Sequence, residues 1–233
     1  GTDDRDLSFA VMDNGRVGAV VSRSTTVPVF VYSDDNGDTW STITISSADV
    51  NLSVWHNMVK YPTSAGGADD GGWIIFGAIS GTLDGIKAIY TLDNGETWSY
   101  LTVLADAATV RGSEPTVEYI EALGLWVMVY RNNADALGPA YLSTSTDLTT
   151  WEDSIALDFT MGQHPPCLFF DAGKLWLYAA IRHRLDHVTA WKNKLIRASV
   201  TVQEISEGDW SGFSDANFET VVAMDNILGY LTL

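Results

Sequence analysis

Four tryptophans recur at a nearly constant interval, and this repeat constrains the fold more than any other feature of the chain. Intervals of 58, 53 and 59 residues separate Trp40, Trp98, Trp151 and Trp210. Two of them close nearly identical segments, Ser33–Trp40 and Thr91–Trp98, which both contain Asp-Asn-Gly-x-Thr-Trp. Ser145–Trp151 is one residue shorter and lacks the glycine, and Ser206–Trp210 is reduced further. A fixed period of this length predicts a repeat architecture.

Each of the two best-matched segments lies between strand-like runs and is therefore predicted to be a hairpin turn. The aspartate is expected to accept hydrogen bonds from its own backbone, and the glycine to supply a positive φ. The tryptophan is expected to fold back over the turn. We call Ser33–Trp40, Thr91–Trp98 and Ser145–Trp151 the first, second and third tryptophan turns.

Aligned on the tryptophans, the chain divides into four units of four short strands each, and no substantial helix is expected. The predicted strands are Leu7–Met12, Arg16–Val21, Val27–Tyr32, Thr42–Ile45, Met58–Tyr61, Trp73–Ala78, Lys87–Tyr90, Tyr100–Leu104, Thr116–Tyr119, Leu125–Arg131, Ala140–Ser143, Ser154–Leu157, Cys167–Phe170, Leu175–Arg182, Lys194–Val200 and Phe218–Val222. Four-stranded sheets that repeat around an axis form a β-propeller. The sequence therefore predicts one all-β propeller over residues 1–233, with blades of antiparallel strands at roughly 1–46, 47–105, 106–158 and 159–223.

Composition narrows the classes of partner. The net charge of −17 argues against general binding to nucleic acid or to anionic membranes. No apolar run is long enough for a membrane helix, and the N-terminus has no signal-peptide pattern. The single cysteine, Cys167, excludes an internal disulfide. The few histidines are not clustered, so neither a metal site nor a cofactor is expected.

Polar residues precede the first strand of every unit, where propeller blades meet the central channel. These pairs are Arg5-Asp6, His56-Asn57, Glu114-Pro115 and His164-Pro165, and arginines end three of the second strands: Arg23, Arg131 and Arg182. Such convergence is what a ligand site requires. The segment from Arg182 to Arg197 holds 5 of the 13 Lys and Arg residues. This segment is either a site for an anionic ligand or a solvated loop that balances local charge.

The tryptophan turns resemble the Asp-box, or BNR repeat, of the sialidase superfamily, whose members are β-propellers. The resemblance places these turns on the outer rim of each blade, between its third and fourth strands and away from the active site. Their aspartates are therefore expected to be structural. Propellers of that superfamily usually have six blades, so the four units are expected either to belong to a longer propeller or to close a four-bladed ring.

The third unit resembles the sialidase pattern of a glutamate that opens a strand, a glycine turn and a strand that ends in arginine. The matching segments are Ser113–Glu121 and Leu125–Arg131. The resemblance implies that Glu114 supports a nucleophile and that Arg131 and Arg182 clamp a carboxylate. Substrate contacts are further expected from Arg5, Arg23, His56, His164, Arg184 and Tyr230.

Departures from the exo-sialidase pattern lead to a more specific expectation. The first unit lacks the Ile-Pro of the family's opening strand, and no aspartate lies in Ser24–Ser33, although exo-sialidases carry a catalytic aspartate in an early blade. Tyr230 is the only late tyrosine in place of their nucleophile. The reduced set is similar to that of the endosialidases of bacteriophage tailspikes. This similarity implies an endo-acting glycosidase for an acidic, sialic-acid-like bacterial polysaccharide, an extracellular or virion location and a homotrimer.

Two other functions remain open at this point. The segment Ser145–Glu152 resembles the Ser-x-Asp-Leu-x-x-Trp-Glu turn of five-bladed glycosidases of the arabinanase and invertase type. Those enzymes need three carboxylates at the channel, and here only Glu114, with Asp4 or Asp6, precedes a first strand. The third possibility is a non-catalytic glycan-binding propeller, because a fold does not determine a function.

Overall fold

The computed structural model describes residues 4–23, 27–45, 52–61, 72–79, 85–104, 112–132, 138–148, 150–160, 166–180 and 194–223. At the ends of several strands it describes the backbone only. The chain divides into two compact units, Gly1–Ala107 and Ala108–Leu233, which are considered separately.

The first unit contains two four-stranded antiparallel sheets in the strand orders β1-β2-β3-β4 and β5-β6-β7-β8. The strands of the first sheet are β1 (Asp4–Val11), β2 (Val17–Arg23), β3 (Val27–Ser33) and β4 (Ser41–Thr44). Those of the second sheet are β5 (Leu52–Lys60), β6 (Trp73–Ile79), β7 (Ile86–Thr91) and β8 (Ser99–Leu104).

The second unit has the same organisation, with the orders β9-β10-β11-β12 and β13-β14-β15-β16. The third sheet contains β9 (Gly112–Ile120), β10 (Leu125–Asn132), β11 (Pro139–Ser145) and β12 (Ile155–Thr160). The fourth contains β13 (Cys167–Asp171), β14 (Lys174–Ala180), β15 (Lys194–Thr201) and β16 (Glu219–Ala223). The prediction of four antiparallel four-stranded blades is confirmed, and the fold class is the β-propeller.

The sheets of each unit pack face to face over an apolar core, as the alternation of apolar residues along the strands requires. In the first unit Val20 and Phe30 of the first sheet meet Ile75 and Ile89 of the second. The centroids of the Trp98 and Phe30 rings lie 5.1 Å apart. In the second unit the core combines the third and fourth sheets through Ile120, Val127, Val129, Leu142, Leu168, Leu175, Leu177 and Ile196.

Most of the hydrogen bonds that shape each tryptophan turn are formed within the turn itself. In the first, Asp35 Oδ1 accepts from the Thr39 backbone N–H at 2.8 Å, and Asp35 Oδ2 accepts from the Thr39 hydroxyl at 2.5 Å. The indole N–H of Trp40 donates to the carbonyl of Gly37, whose φ is +98°. The second turn repeats these contacts with Asp93 as the acceptor. The structural role predicted for the two aspartates agrees with this geometry.

The third turn forms similar hydrogen bonds without a glycine at the position of positive φ. Leu148 adopts a φ of +65°, and its carbonyl accepts from the indole N–H of Trp151 at 2.9 Å. Asp147 Oδ1 accepts from the Thr150 backbone N–H at 2.7 Å. Leu148 is buried, which favours this strained residue in place of glycine because its side chain contributes to the core.

The fourth segment, Ser206–Trp210, differs from the three tryptophan turns because it begins within a short helix. The helix α1 (Val202–Glu207) begins directly after β15 and ends at Gly208, whose φ is +71°. Its N-terminus carries a capping box in which Thr201 and Glu204 satisfy each other's backbone N–H groups. Trp210 still lies between the third and fourth strands of its blade and packs against the core of the second unit.

Candidate functional site

The candidate site is centred on an ion pair at one end of the third sheet. Glu114 lies near the start of β9 and Arg131 near the end of β10, and the two antiparallel strands bring these positions together. Arg131 Nη1 lies 2.9 Å from Glu114 Oε2. The Glu114 side chain is 7% exposed and that of Arg131 is 16% exposed. The two residues predicted from the Glu–Gly–Arg pattern therefore do meet.

A β-bulge aims the Glu114 carboxylate at Arg131. In the strand register Thr116 pairs with Val129 and Ser113 pairs with Arg131, so Glu114 and Pro115 together face Tyr130 alone. Glu114 adopts a φ of +49°, a left-handed conformation that costs a residue with a side chain roughly 1–2 kcal/mol. Bulges of this kind redirect side chains next to active sites, and strain of this kind is common at functional positions.

Irregular pairing also occurs at the starts of the first strands of the first unit. The register of β1 shifts between Arg5 and Leu7, and that of β5 shifts between Ser53 and Met58. These shifts include the predicted pairs Arg5-Asp6 and His56-Asn57. Arg23 pairs with Asp4 at the same end of the first sheet as Arg5. Only the backbone of Arg5, Arg23 and His56 is described, so their predicted contacts with substrate stay predictions.

The remaining predicted residues lie outside the described part of the chain. These are Arg182, predicted to clamp a carboxylate together with Arg131, and the predicted substrate contacts His164, Arg184 and Tyr230. Most of the cationic segment from Arg182 to Arg197 is also outside it, because the description resumes at residue 194. The structure thus brings together Glu114 and Arg131 and leaves Arg182 a prediction.

Sequence analysis missed two largely buried ionisable groups on the strands that carry the ion pair. Burial raises the pKa of Glu118, on the same strand as Glu114, to about 7. Two residues earlier, Thr116 Oγ1 accepts from the Leu168 backbone N–H of the fourth sheet at 3.1 Å, so this face of β9 points towards β13. Burial also raises the pKa of Tyr130 to about 12, and its hydroxyl donates to Ser154 Oγ. The Tyr130 side chain is fully buried.

The described residues also bear on metal binding and on membrane spans. No group of three or more His, Cys, Asp or Glu side chains there is placed to hold a metal ion. None of the helices in that part of the chain is long and apolar enough to cross a membrane.

Comparison with known proteins bears on the fold of the chain. No protein-family model matches the chain. A sialidase from Paraclostridium sordellii is 30% identical over 207 residues, which are 78% of this chain and 46% of the sialidase. The chain thus spans about half the length of the curated relative that it matches.

Solved structures share the fold at low sequence identity. The Penicillium chrysogenum α-L-arabinanase complexed with arabinobiose superposes with a TM-score of 0.66 at 13% identity, over 94% of this chain and 67% of that chain. The intramolecular trans-sialidase from Ruminococcus gnavus superposes with a TM-score of 0.57 at 15% identity, over 86% of this chain and 40% of that chain. Both therefore support the propeller fold.

Proposed function

We propose that this chain carries the site of a sialidase-type glycosidase that cleaves an acidic glycan, with Glu114 and Arg131 at the reacting sugar. The ion pair between these side chains is the observation that carries the proposal. It lies at a bulged strand start, where the Ser-Glu-Pro and Tyr-Arg segments meet. The similarity to the Paraclostridium sordellii sialidase supports the same reaction class.

Arg131 is suited to hold the carboxylate of an acidic sugar. A guanidinium presents N–H donors in one plane, which match a carboxylate in the two-bond geometry that lysine cannot reproduce. Arg131 Nη1 lies 2.9 Å from Glu114 Oε2. Because the Arg131 side chain is partly exposed while Glu114 is buried, a ligand can reach the arginine and the glutamate holds it in place.

The negative charge of Glu114 then stabilises the transition state. Hydrolysis of a glycosidic bond passes through an oxocarbenium-like state, in which the anomeric carbon gains positive charge as the bond to the leaving oxygen breaks. A buried carboxylate preorganised near that carbon stabilises the developing charge, either directly or through the nucleophile that it supports. The strained φ of Glu114 is consistent with a side chain held in one orientation for this purpose.

The finer proposal is endo-action on an acidic bacterial surface polysaccharide at an extracellular or virion location. The tryptophan turns, which we propose are Asp-boxes, and the reduced catalytic set support it.

The test is release of reducing ends from α2,8-linked polysialic acid by the wild type, Glu114→Gln and Arg131→Lys. We expect each substitution to lower kcat/KM by about 100-fold or more, as is typical for the loss of one preorganised electrostatic group. Asp153→Asn, at an exposed position in the connection between β11 and β12, is the matched control and should retain activity. Wild-type rates in both site variants would refute the site. Binding of the polymer without any cleavage by the wild type would favour a glycan-binding propeller instead.

A second candidate is a glycosidase of arabinanase type that acts on neutral sugars. The third tryptophan turn favours it, because this turn lacks the glycine of the other two and carries the Leu-x-x-Trp-Glu pattern. Cleavage of α-1,5-arabinan that persists in Arg131→Ala would select this candidate. A neutral substrate gives the guanidinium no carboxylate to hold.

A further inference from the structure

A buried hydroxyl next to the candidate ion pair has no hydrogen-bond partner among the described residues. Ser113, which precedes Glu114 on β9, is 1% exposed, and its Oγ is both buried and unbonded. Burial of a hydroxyl without a partner is costly, because the group gives up its hydrogen bonds to water and receives none in return. An unbonded hydroxyl in a folded core therefore requires an explanation.

Other buried hydroxyls of the second unit do have partners. In the same sheet the Ser143 hydroxyl, which is also 1% exposed, donates to the Glu152 carbonyl at 2.6 Å. On β9 itself, Thr116 Oγ1 accepts from the Leu168 backbone N–H. Ser113 thus differs from these neighbours in its missing bond and not in its burial.

Strand pairing places the Ser113 side chain beside that of Arg131. The two residues pair in the register of β9 and β10. Directly paired residues project from the same face of a sheet, with their Cβ atoms about 4.5–5.5 Å apart. Val129, two residues before Arg131 and hence on the same face, belongs to the core that the third sheet shares with the fourth. Ser113 and Arg131 therefore both project from the face that packs on the fourth sheet.

We propose that Ser113 is a positioning residue for the acidic sugar: its hydroxyl accepts a hydrogen bond from the Arg131 guanidinium when that guanidinium holds a substrate carboxylate. The inference rests on the proposed sialidase-type function and deepens it. It assigns the unbonded hydroxyl to the substrate-bound state of the site. Because Ser113 Oγ is buried, it acts through Arg131 and does not touch the sugar.

The donors of Arg131 explain why the bond forms on binding. In the free protein Arg131 Nη1 lies 2.9 Å from Glu114 Oε2. A substrate carboxylate competes with Glu114 for the guanidinium and turns it, which brings another N–H towards Ser113. A serine oxygen has two lone pairs and can accept this N–H. Since the hydroxyl is already removed from water, the new bond replaces none with solvent, and it stabilises the bound state by more than an exposed hydroxyl would.

Ser113→Ala tests the proposal in two measurements on the 233-residue chain: Tm of the free protein, and kcat/KM for α2,8-linked polysialic acid. Loss of an unbonded hydroxyl should leave Tm unchanged or raise it by about 2–4 °C. The value of kcat/KM should fall by about tenfold or more, as for the loss of a hydrogen bond to a charged group, mainly through a higher KM because the carboxylate is held before and during the reaction.

Ser143→Ala is the matched control, because it removes a bonded hydroxyl of equal burial from the same sheet. It should lower Tm and leave kcat/KM nearly unchanged. A Ser113→Ala variant that loses Tm as Ser143→Ala does would show a structural hydroxyl and overturn the proposal. Retention of the wild-type kcat/KM in Ser113→Ala would overturn it as well, with the proposed function intact. Absence of cleavage by the wild type would instead refute the proposed function itself, and the inference with it.

A double-variant cycle shows whether Ser113 acts through Arg131. In an Arg131→Ala background, Ser113→Ala should change the residual kcat/KM by about twofold or less, because the partner of the hydroxyl is already gone. The same tenfold fall in both backgrounds would mean that Ser113 acts independently of Arg131, which would overturn the proposal.

Discussion

Arg16 is expected to be the most important single ion-pairing residue for the stability of the first unit. Its Nε and Nη2 both bond the Asp34 carboxylate, at 2.7 and 3.1 Å, and Nη2 also contacts Glu96. Its Nη1 donates to the Asn94 carbonyl at 3.0 Å. The guanidinium lies 4.1 Å from the centre of the Tyr32 ring. The side chain is 7% exposed, so a buried cation joins the first two tryptophan turns.

The cost of replacing Arg16 with methionine follows from the environment of each partner. The carboxylates of Asp34 and Glu96 are 58% and 59% exposed, so they return to water and each lost pair costs about 0.5–1 kcal/mol. The Asn94 carbonyl loses its donor, at about 1–2 kcal/mol, and the lost cation–π contact adds about 0.5 kcal/mol. We expect Arg16→Met to lower the free energy of unfolding by about 3 kcal/mol and Tm by about 6–12 °C for a chain of this size.

Urea denaturation and differential scanning calorimetry measure this effect against a matched control. Arg197→Met removes an arginine that pairs with Glu219 and covers Trp176, but this pair is solvent-exposed, so its loss should have little effect on the free energy of unfolding. Arg16→Lys should recover only part of the loss, since an ammonium cannot bond both oxygens of Asp34 in the same fork. The reasoning is refuted if Arg16→Met and Arg197→Met destabilise the protein equally.

Four further expectations concern the turns, the buried carboxyl and the substrate. Gly95→Ala should destabilise the protein by about 2–4 kcal/mol, because it combines a positive φ with overlap on Phe30. Gly37→Ala, with a positive φ but only an ordinary contact with the Trp40 ring at 3.8 Å, should cost only about 1 kcal/mol in urea denaturation. Hydrogen bonds from Thr39 lower the pKa of Asp35 to about 2 from its usual 3.8, so stability should be fully present above pH 4 and should fall as the pH drops towards 2. Asp35→Asn should flatten that part of the pH profile, and an unchanged profile would contradict the assignment. Burial raises the pKa of Glu118 from 4.5 to about 7, so stability should fall by up to about 3 kcal/mol between pH 4.5 and 7. Denaturation of Glu118→Gln at pH 5 and pH 8 should lack this difference. If the substrate is a polyanion, added salt should raise kcat/KM, because it screens repulsion from the net charge of −17; a fall with salt would point to local cations that dominate binding.

The fold could be predicted because its signals are local in the sequence. Each tryptophan turn closes its hydrogen bonds within a few residues, as Asp35 with Thr39 shows, so the residue types alone indicate the conformation. The short helix that overlaps Ser206–Trp210 was also indicated locally. The Thr201-x-x-Glu204 capping box was present in the sequence and predicts a helix start.

The sequence predicted which two residues form the candidate site, but it did not predict their conformation. Glu114 and Arg131 were identified because a resemblance supplied their roles, and antiparallel pairing then placed them together. The left-handed conformation of Glu114 could not be predicted from the sequence, because the residue before a proline usually adopts an extended conformation. The contact of Arg16 with Asn94 joins positions 78 residues apart, and it depends on how two sheets pack. The raised pKa of Glu118 likewise depends on burial between sheets.

The self-contained tryptophan turns have a consequence for how the chain folds. The hydrogen bonds between Asp93 and Thr97 and between Trp98 and Gly95 need no other part of the molecule, so the turn can form on the microsecond timescale of a hairpin. Once formed, it fixes which residues of β7 and β8 pair, and a slip by one residue would turn every side chain to the wrong face. Each blade can therefore acquire its register before its neighbour leaves the ribosome, and the sheets can be added one after another in the order of synthesis.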